Sequence, residues 1–159
     1  GHASVAFAAG PPQYVHSGQR MRAWQASCER HGIEKGPVFE AGFTFEDGER
    51  AAAQAFAQRP RPSAILCVND LSAMGVIAAA RAAGIDVPNE LSVVGYDGVR
   101  IAALTSPALT TVVTDPGSVG FHAAAMLLDV IEGGTPDDLL VNSAAFTARE
   151  STAALAPSS

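Results

Sequence analysis

The stretch 64-AILCVNDLSAMG-75 runs five apolar residues together, breaks on the polar pair Asn69-Asp70, and resumes with helical spacing. A short apolar run of this length, with no polar alternation, fits a strand covered on both faces. After the break, Leu71, Met74, Ile77 and Ala78 recur at the spacing of one helix face, and Gly84 supplies the stop. Asn69 and Asp70 are both residue types that cap helices, and Asp70 is read as the cap. The unit is therefore strand, polar corner, helix.

The same unit recurs on either side. Upstream, residues 5–9 form an apolar strand closed by Gly10-Pro11-Pro12. Ser17 is placed to cap a helix running to about His31, with Met21, Trp24 and Cys28 on its buried face and Gly32 as its stop. Residues 38–41 read as the next strand, ended by Gly42. Thr44 and Asp47 then have the spacing of a capping box, and the helix they open carries Ala52, Ala55 and Phe56 and stops before Pro60 and Pro62. Downstream, residues 91–96 read as a fourth strand and the β-branched run 110–114 as a fifth. Asp115-Pro116 is a cap followed by a first-turn proline. The helix beyond it repeats Val119, Ala123, Met126, Leu127 and Val130 and ends at Gly133-Gly134. Residues 145–149 form a last strand, and 153–159 a loose tail. Strands alternating with helices predict an α/β fold with an open parallel sheet flanked by helices.

Composition narrows the function. The 159 residues are 48% apolar and 16% charged, which suits a packed globular core rather than disorder. The formal net charge of −6, with ten scattered basic residues, argues against this chain itself gripping a nucleic-acid backbone. No apolar run reaches the roughly 18–20 residues that span a bilayer, so no membrane partner is expected. Cys28 and Cys67 are too few and too separated for a disulfide framework or a zinc site, which suggests reduced thiols and a cytoplasmic location. The chain opens without Met and runs almost at once into a strand, as a piece of something longer would.

In an open α/β sheet, ligands bind beyond the carboxyl ends of the strands. Each strand end offers something there. The first leads to Gly10-Pro11-Pro12 and then Arg20, the second to Gly42-Phe43, the third to Asn69 and the fourth to Asp97-Gly98. A guanidinium fork, a ring, an amide and a carboxylate suit a neutral ligand rich in hydroxyls. Each residue also has a structural reading: Asn69 as a cap, Asp97 as turn chemistry, Arg20 as a solvated charge, Phe43 and Trp24 as core. Catalysis has little support. No GxSxG, GxxxxGK[ST], HExxH, or GxGxxG after a strand is present, and His2, His16, His31 and His122 lack metal-ligand spacing and suit surface or helix-end roles. No cofactor or metal is expected. A sugar-modifying enzyme on such a sheet would need a nucleophile–base pair that the sequence does not offer.

With these strand ends in view, the sequence resembles the effector-binding domain of the LacI/GalR family of bacterial transcription regulators. The matching stretches are 1-GHASVAFAAGP-11, 20-RMRAW-24, 63-SAILCVNDLSAMGVIAAARAAGIDVPNELSVVGYDGV-99, 107-PALTTV-112 and 149-RESTA-153. The resemblance implies a periplasmic-binding-protein-like fold of two Rossmann-like subdomains, with a small sugar-like or nucleobase-like effector between them. Arg20, Phe43, Asn69 and Asp97 would contact it. The resemblance further implies a homodimer, with Met74, Ile101 and Leu104 at its interface, and DNA contact only through an N-terminal domain that this chain lacks. Residues 1–112 and 144–159 would form the C-terminal effector-binding subdomain. Residues 113–143 would be a strand–helix segment belonging to the N-terminal one, its apolar helix face packed on that subdomain or on a second copy. Three positions depart from the pattern: Ala23 for a usual Gly, Gly98 for a frequent Asp, and Pro116 where some members carry an aromatic. A periplasmic sugar-binding receptor of a transport system shares the fold and is the alternative; the RESTA and Gly-Tyr-Asp-Gly stretches favour the regulator.

Overall fold

The computed structural model describes residues 1–141 and 144–155. The chain alternates β1 (Ser4–Ala9), α1 (Val15–His31), β2 (Glu34–Glu40), α2 (Phe45–Phe56), β3 (Ala64–Cys67), α3 (Asp70–Ala82) and β4 (Ser92–Asp97). A 3-10 turn (Arg100–Ala103) then leads to β5 (Thr110–Val113), α4 (Pro116–Ile131) and β6 (Ala145–Thr147). The strands form one sheet in the order β2-β1-β3-β4-β5-β6. All pairs are parallel except the last, where β6 runs antiparallel to β5, so the sheet is mixed at one edge rather than wholly parallel.

Strand burial follows position in the sheet. Ala6, Phe7 and Ala8 in β1 and Ile65 and Cys67 in β3 are buried, as the unalternating apolar runs predict. β2 starts four residues earlier than the sequence suggests and is mostly exposed, because it is an edge strand and pairing with β1 extends it through polar residues. One face of the sheet carries α2 and α3 over a core that includes Phe39, Ile65, Val76, Ile77, Leu91 and Leu109. On the other face α1 contributes Trp24 and Cys28, with Trp24 stacked on Phe7 at 5.4 Å between centroids.

Helix starts match the sequence unevenly. The Thr44–Asp47 capping box is present, and Asp115 caps α4 by accepting from the Ser118 N–H at 3.0 Å. α1 begins two residues before Ser17, after Tyr14, and has no side-chain cap; Ser17 lies buried in its first turn. Asn69, not Asp70, caps α3, its Oδ1 accepting from the Ser72 N–H at 2.9 Å. Asp70 is fully buried. Its Oδ2 accepts from the Val99 N–H at 2.8 Å and its Oδ1 from the Thr111 hydroxyl. On α3 the core face is Ala73, Val76, Ile77 and Ala80 with Met74, while Leu71, expected on that face, is exposed. Met74, expected at a dimer interface, is 9% exposed and belongs to the core cluster that joins α2, α3 and the sheet.

The C-terminal stretch is stitched to the sheet at Ser151. Its N–H donates to the Ala108 carbonyl, its hydroxyl donates to the Val93 carbonyl at 2.6 Å, and it accepts from the Thr110 N–H at 2.8 Å. Ala153, expected in the loose tail, is held by Ser92 Oγ at 3.1 Å; residues 156–159 of that tail lie outside the described residues, as do residues 142–143 at the expected subdomain boundary. α4 differs from every other helix. None of its residues is buried, and Phe121, Leu127, Leu128 and Ile131 are all exposed.

α2 and α3 pack closely because Gly48 and Gly75 carry no side chain. A Cβ on Gly48 would press into the Ser72 carbonyl, and one on Gly75 into the Phe45 carbonyl. Gly75→Ala should therefore destabilise the protein by up to about 2 kcal/mol. The overpacking cost of about 1–3 kcal/mol exceeds the roughly 1 kcal/mol that alanine gains over glycine in a helix. Urea denaturation followed by circular dichroism would show the lowered midpoint, and a raised one would refute the tight crossing.

Candidate functional site

Where the order of strands reverses direction, between β1 and β3, the loops part and leave a crevice at the carboxyl rim. Arg20 projects there from the second turn of α1. Its Nη1 donates to the Val68 carbonyl at 2.6 Å, at the end of β3, and its Nη2 to Asp97 Oδ1 at 3.2 Å, at the end of β4. The guanidinium also lies 3.7 Å from the centroid of the Tyr96 ring. One side chain thus bridges two strand ends and is held in plane by a third contact.

Asn69 stands beside this bridge. Besides capping α3, its Nδ2 donates to the Phe43 carbonyl at 2.9 Å, which fastens the turn after β2 to the end of β3. Most of the Asn69 amide is thus spent on structure, and one N–H is left over. Phe43 lies on the same rim, partly buried. The structure brings together all four residues that the strand ends single out.

The Asp97 loop is backbone-strained. Asp97 has φ 109° and Gly98 φ 75°, both in the left-handed region that side chains avoid. A Cβ on Gly98 would also lie 2.6 Å from Val113 Cα, so the position that departs from the family pattern tolerates only glycine here. Two anchors hold the loop: Asp70 accepting from the Val99 N–H, and the Thr114 N–H and hydroxyl donating to the Asp97 carbonyl at 3.2 and 3.1 Å. Burial pushes the Asp97 carboxyl above its usual range, Arg20 pulls it back in part, and the nearby Asp70 adds to the rise.

Two residues at this rim were not singled out from the sequence. Tyr14 and His16 sit against Phe43, with ring centroids 5.3 and 5.4 Å away. No periodicity or motif marks them in the sequence; His16 reads as a surface residue, and only the turn into α1 swings it onto the rim. Among the other histidines, His31 Nδ1 lies 2.8 Å from the Ser27 carbonyl at the end of α1, a helix-end role. Cys28 and Cys67 are buried and unpaired, and burial raises both thiols. Among the described residues, no group of three His, Cys, Asp or Glu side chains is placed to hold a metal, and no helix is long and apolar enough to cross a membrane.

The rim is open. Two concavities of about 380 Å³ flank it, one lined by Gly10, Pro11, Gly42 and Arg50, the other by Tyr96, Asp115, Pro116 and Val119. Neither encloses Arg20. A ligand resting on Arg20 and Asp97 would be covered on one side only.

A doubly wound sheet with a polar carboxyl rim is an architecture that places small-molecule sites beyond its strand ends. The chain belongs to the periplasmic binding protein-like domain family, whose model matches residues 1–152. Its relatives are LacI-family transcription regulators. It is 38% identical over 133 residues to the HTH-type transcriptional repressor PurR of Klebsiella pneumoniae strain 342, covering 82% of this chain and 39% of that protein. Against the repressor CytR of Escherichia coli K12 it is 31% identical over 135 residues, 84% of this chain and 40% of that protein. The fold superposes on a LacI family regulator from Bifidobacterium animalis subsp. lactis with TM-score 0.91 and 27% identity, over 98% of this chain and 57% of that one. It superposes on the Lac repressor dimer bound to operator and the anti-inducer ONPF with TM-score 0.90 and 27% identity, over 97% of this chain and 54% of that one. The chain thus spans about two fifths of the length of these curated relatives.

The Asp97 environment carries a pH signature. With its folded pKa raised, Asp97 stabilises the fold in its protonated form, and that contribution is lost as pH rises through the raised value. An amide at this position does not titrate. Relative to wild type, Asp97→Asn should therefore gain thermal stability as pH rises from about 4 towards 7. Melting curves across that range would check it; a difference that shrinks with rising pH would mean that the Arg20 pairing outweighs burial.

Proposed function

We propose that this chain is the effector-binding lobe of a LacI-type transcription regulator, with a small sugar-like or nucleobase-like molecule resting on Arg20, Asp97, Asn69 and Phe43. The observation that carries the reading is the Arg20 bridge at the switch point. A guanidinium fixed by Val68, Asp97 and Tyr96 is pre-organised to donate, and Asp97 Oδ2 is left to accept from a ligand hydroxyl or N–H. The relatives support the regulator over the transport receptor, since those described are repressors and regulators. One solved neighbour, CelR, is a complex with cellobiose and aligns with TM-score 0.88.

In this reading the effector lies between the open rim and a facing lobe outside this chain. It shifts the equilibrium between two arrangements of the lobes by its difference in affinity for them. Its role is binding, without catalysis and without a cofactor, in the cytoplasm. DNA is contacted by a separate N-terminal domain, in keeping with the acidic balance of this one. The protein is a homodimer. Ile101 and Leu104, 55% and 82% exposed, supply interface contacts, with Met74, almost wholly covered in this chain, behind them at most. Residues 113–143 belong with the facing lobe, which would cover the exposed apolar residues of α4.

A thermal-shift screen of the full-length protein against sugars and nucleobases, repeated with Asp97→Ala, tests the site. The variant should bind any hit at least about tenfold more weakly, a difference of about 1.4 kcal/mol; equal stabilisation of both proteins would refute it. Hydrogen exchange tests the assignment of 113–143. The α4 amides should exchange much faster than those of α3 in the isolated 159-residue chain and become protected in the full-length protein. Equal protection of the two helices in the isolated chain would contradict it.

A further inference from the structure

Among the described residues, Asp97 is the one residue other than glycine whose φ falls in the left-handed region, at 109°. Strain of this kind persists only where neighbours enforce it. Here Arg20 holds the Asp97 side chain, Thr114 holds the Asp97 carbonyl, and Asp70 takes the Val99 N–H just beyond. The Asp70 grip is built into the fold. Its carboxyl group is fully buried and lies over β4 in space that only a glycine leaves, since a Cβ on Gly95 would collide with Asp70 Oδ1. Thr111 donates to that Oδ1, so Oδ2 is left for Val99. Asp70 also ends a corner of consecutive residues that each hold a different part of the rim. Val68 accepts from Arg20, Asn69 donates to the Phe43 carbonyl, and Asp70 accepts from Val99.

Val99 in turn opens the 3-10 turn Arg100–Ala103, and its carbonyl accepts from the Ala102 N–H at 3.0 Å. Ala102 is fully buried, and its carbonyl takes the Leu109 N–H at 2.8 Å and the Thr105 hydroxyl at 3.1 Å. Ile101 and Leu104, on the same turn, stay in the open, and the Leu104 N–H donates to the Ile101 carbonyl at 2.9 Å. One short segment thus carries a rim carboxylate at one end and an exposed apolar pair at the other, with a buried latch between them. Relaxing the Asp97 backbone to an ordinary negative φ would redirect the chain into Val99 and take its N–H off Asp70.

From this we infer that residues 97–104 form a two-position element that couples the rim to the apolar surface of the turn, with Asp70 as the positioning residue that latches it. The inference rests on the reading of the rim as an effector site and of Ile101 and Leu104 as interface residues, and it joins the two. Whatever engages Asp97 biases how Ile101 and Leu104 are presented to a second copy of the chain. By linkage, pairing at that surface biases the rim in return. The latched position is the one seen. In the released one Asp97 is relaxed, and the Ala102 and Leu104 N–H groups open to solvent.

Residue-resolved hydrogen exchange and sedimentation velocity on the full-length protein test it without any ligand. Asp97→Asn and Asp97→Val both remove the charge, but asparagine tolerates the left-handed region and a β-branched valine does not. The valine variant should therefore exchange at Ala102 and Leu104 about tenfold faster or more than the asparagine variant, with α1 alike in both. Its dimer dissociation constant should be higher by about fivefold or more. Val99→Pro removes the donor to Asp70 while suiting the Val99 φ of −61°, and in that background both differences should vanish. Asp70→Asn, which offers an oxygen to Val99 and an N–H to Thr111, should preserve them. Should Val99→Pro not fold, Asp70→Ser, too short to reach Val99, takes its place. Equal exchange in the two Asp97 variants overturns the inference. So does a difference that survives loss of the latch, since it would then bypass Asp70, and so does a dissociation constant that stays fixed while exchange quickens. A ligand screen in which Asp97→Ala changes nothing would strike the effector site alone, because none of these readouts depends on a ligand.

Discussion

The buried carboxyl group of Asp70 ties together three segments that are far apart in sequence. It starts α3 just after β3, accepts from the Val99 N–H beyond β4, and accepts from the Thr111 hydroxyl in β5. A fully buried carboxyl group is tolerable only when its oxygens are satisfied, so the loop carrying Asp97 and the neighbouring strand must sit where they can satisfy it. The strained backbone at Asp97 and Gly98 persists because this anchor, with Thr114, over-determines it. The position of Asp97, and through it the Arg20 bridge, follows from that constraint.

The rim so fixed is polar, pre-arranged and incomplete. Arg20 is held by three partners, so its side chain is already ordered. Asp97 is in the opposite condition. Burial disfavours its charge and Arg20 compensates only partly, which leaves an acceptor that a ligand donor would relieve. A site of this kind spends stability to keep binding groups poised. Its openness leaves anything resting on Arg20 and Asp97 covered on one side only.

α4 shows the same incompleteness from the apolar side. Its cap and first-turn proline specify a helix locally, yet none of its hydrophobic residues is buried by the described residues. Local signals and tertiary packing are normally in register. Here they part company, which makes α4 the most informative element about what the chain packs against.

Most of the architecture was legible in the residues. The apolar runs at 5–9 and 64–68 dictated buried strands, and the Thr44–Asp47 and Asp115-Pro116 signals dictated helix starts, because hydrophobic period and capping chemistry act over a few residues. The strand-end rule brought Arg20, Phe43, Asn69 and Asp97 to one rim before any coordinates, since a parallel sheet puts all its carboxyl ends on one side. What only the tertiary structure decided are the matters set by residues distant in sequence. Asn69 rather than Asp70 caps α3, because Thr111 and Val99 claim Asp70; Met74 turns inward, because it joins the cluster shared by α2, α3 and the sheet; β2 grows outward and β6 reverses, because edge strands answer to one neighbour only. Tyr14 and His16 join the rim for the same reason: a loop residue gains its meaning from whichever ring the fold places beside it, and no spacing in the sequence encodes that neighbour.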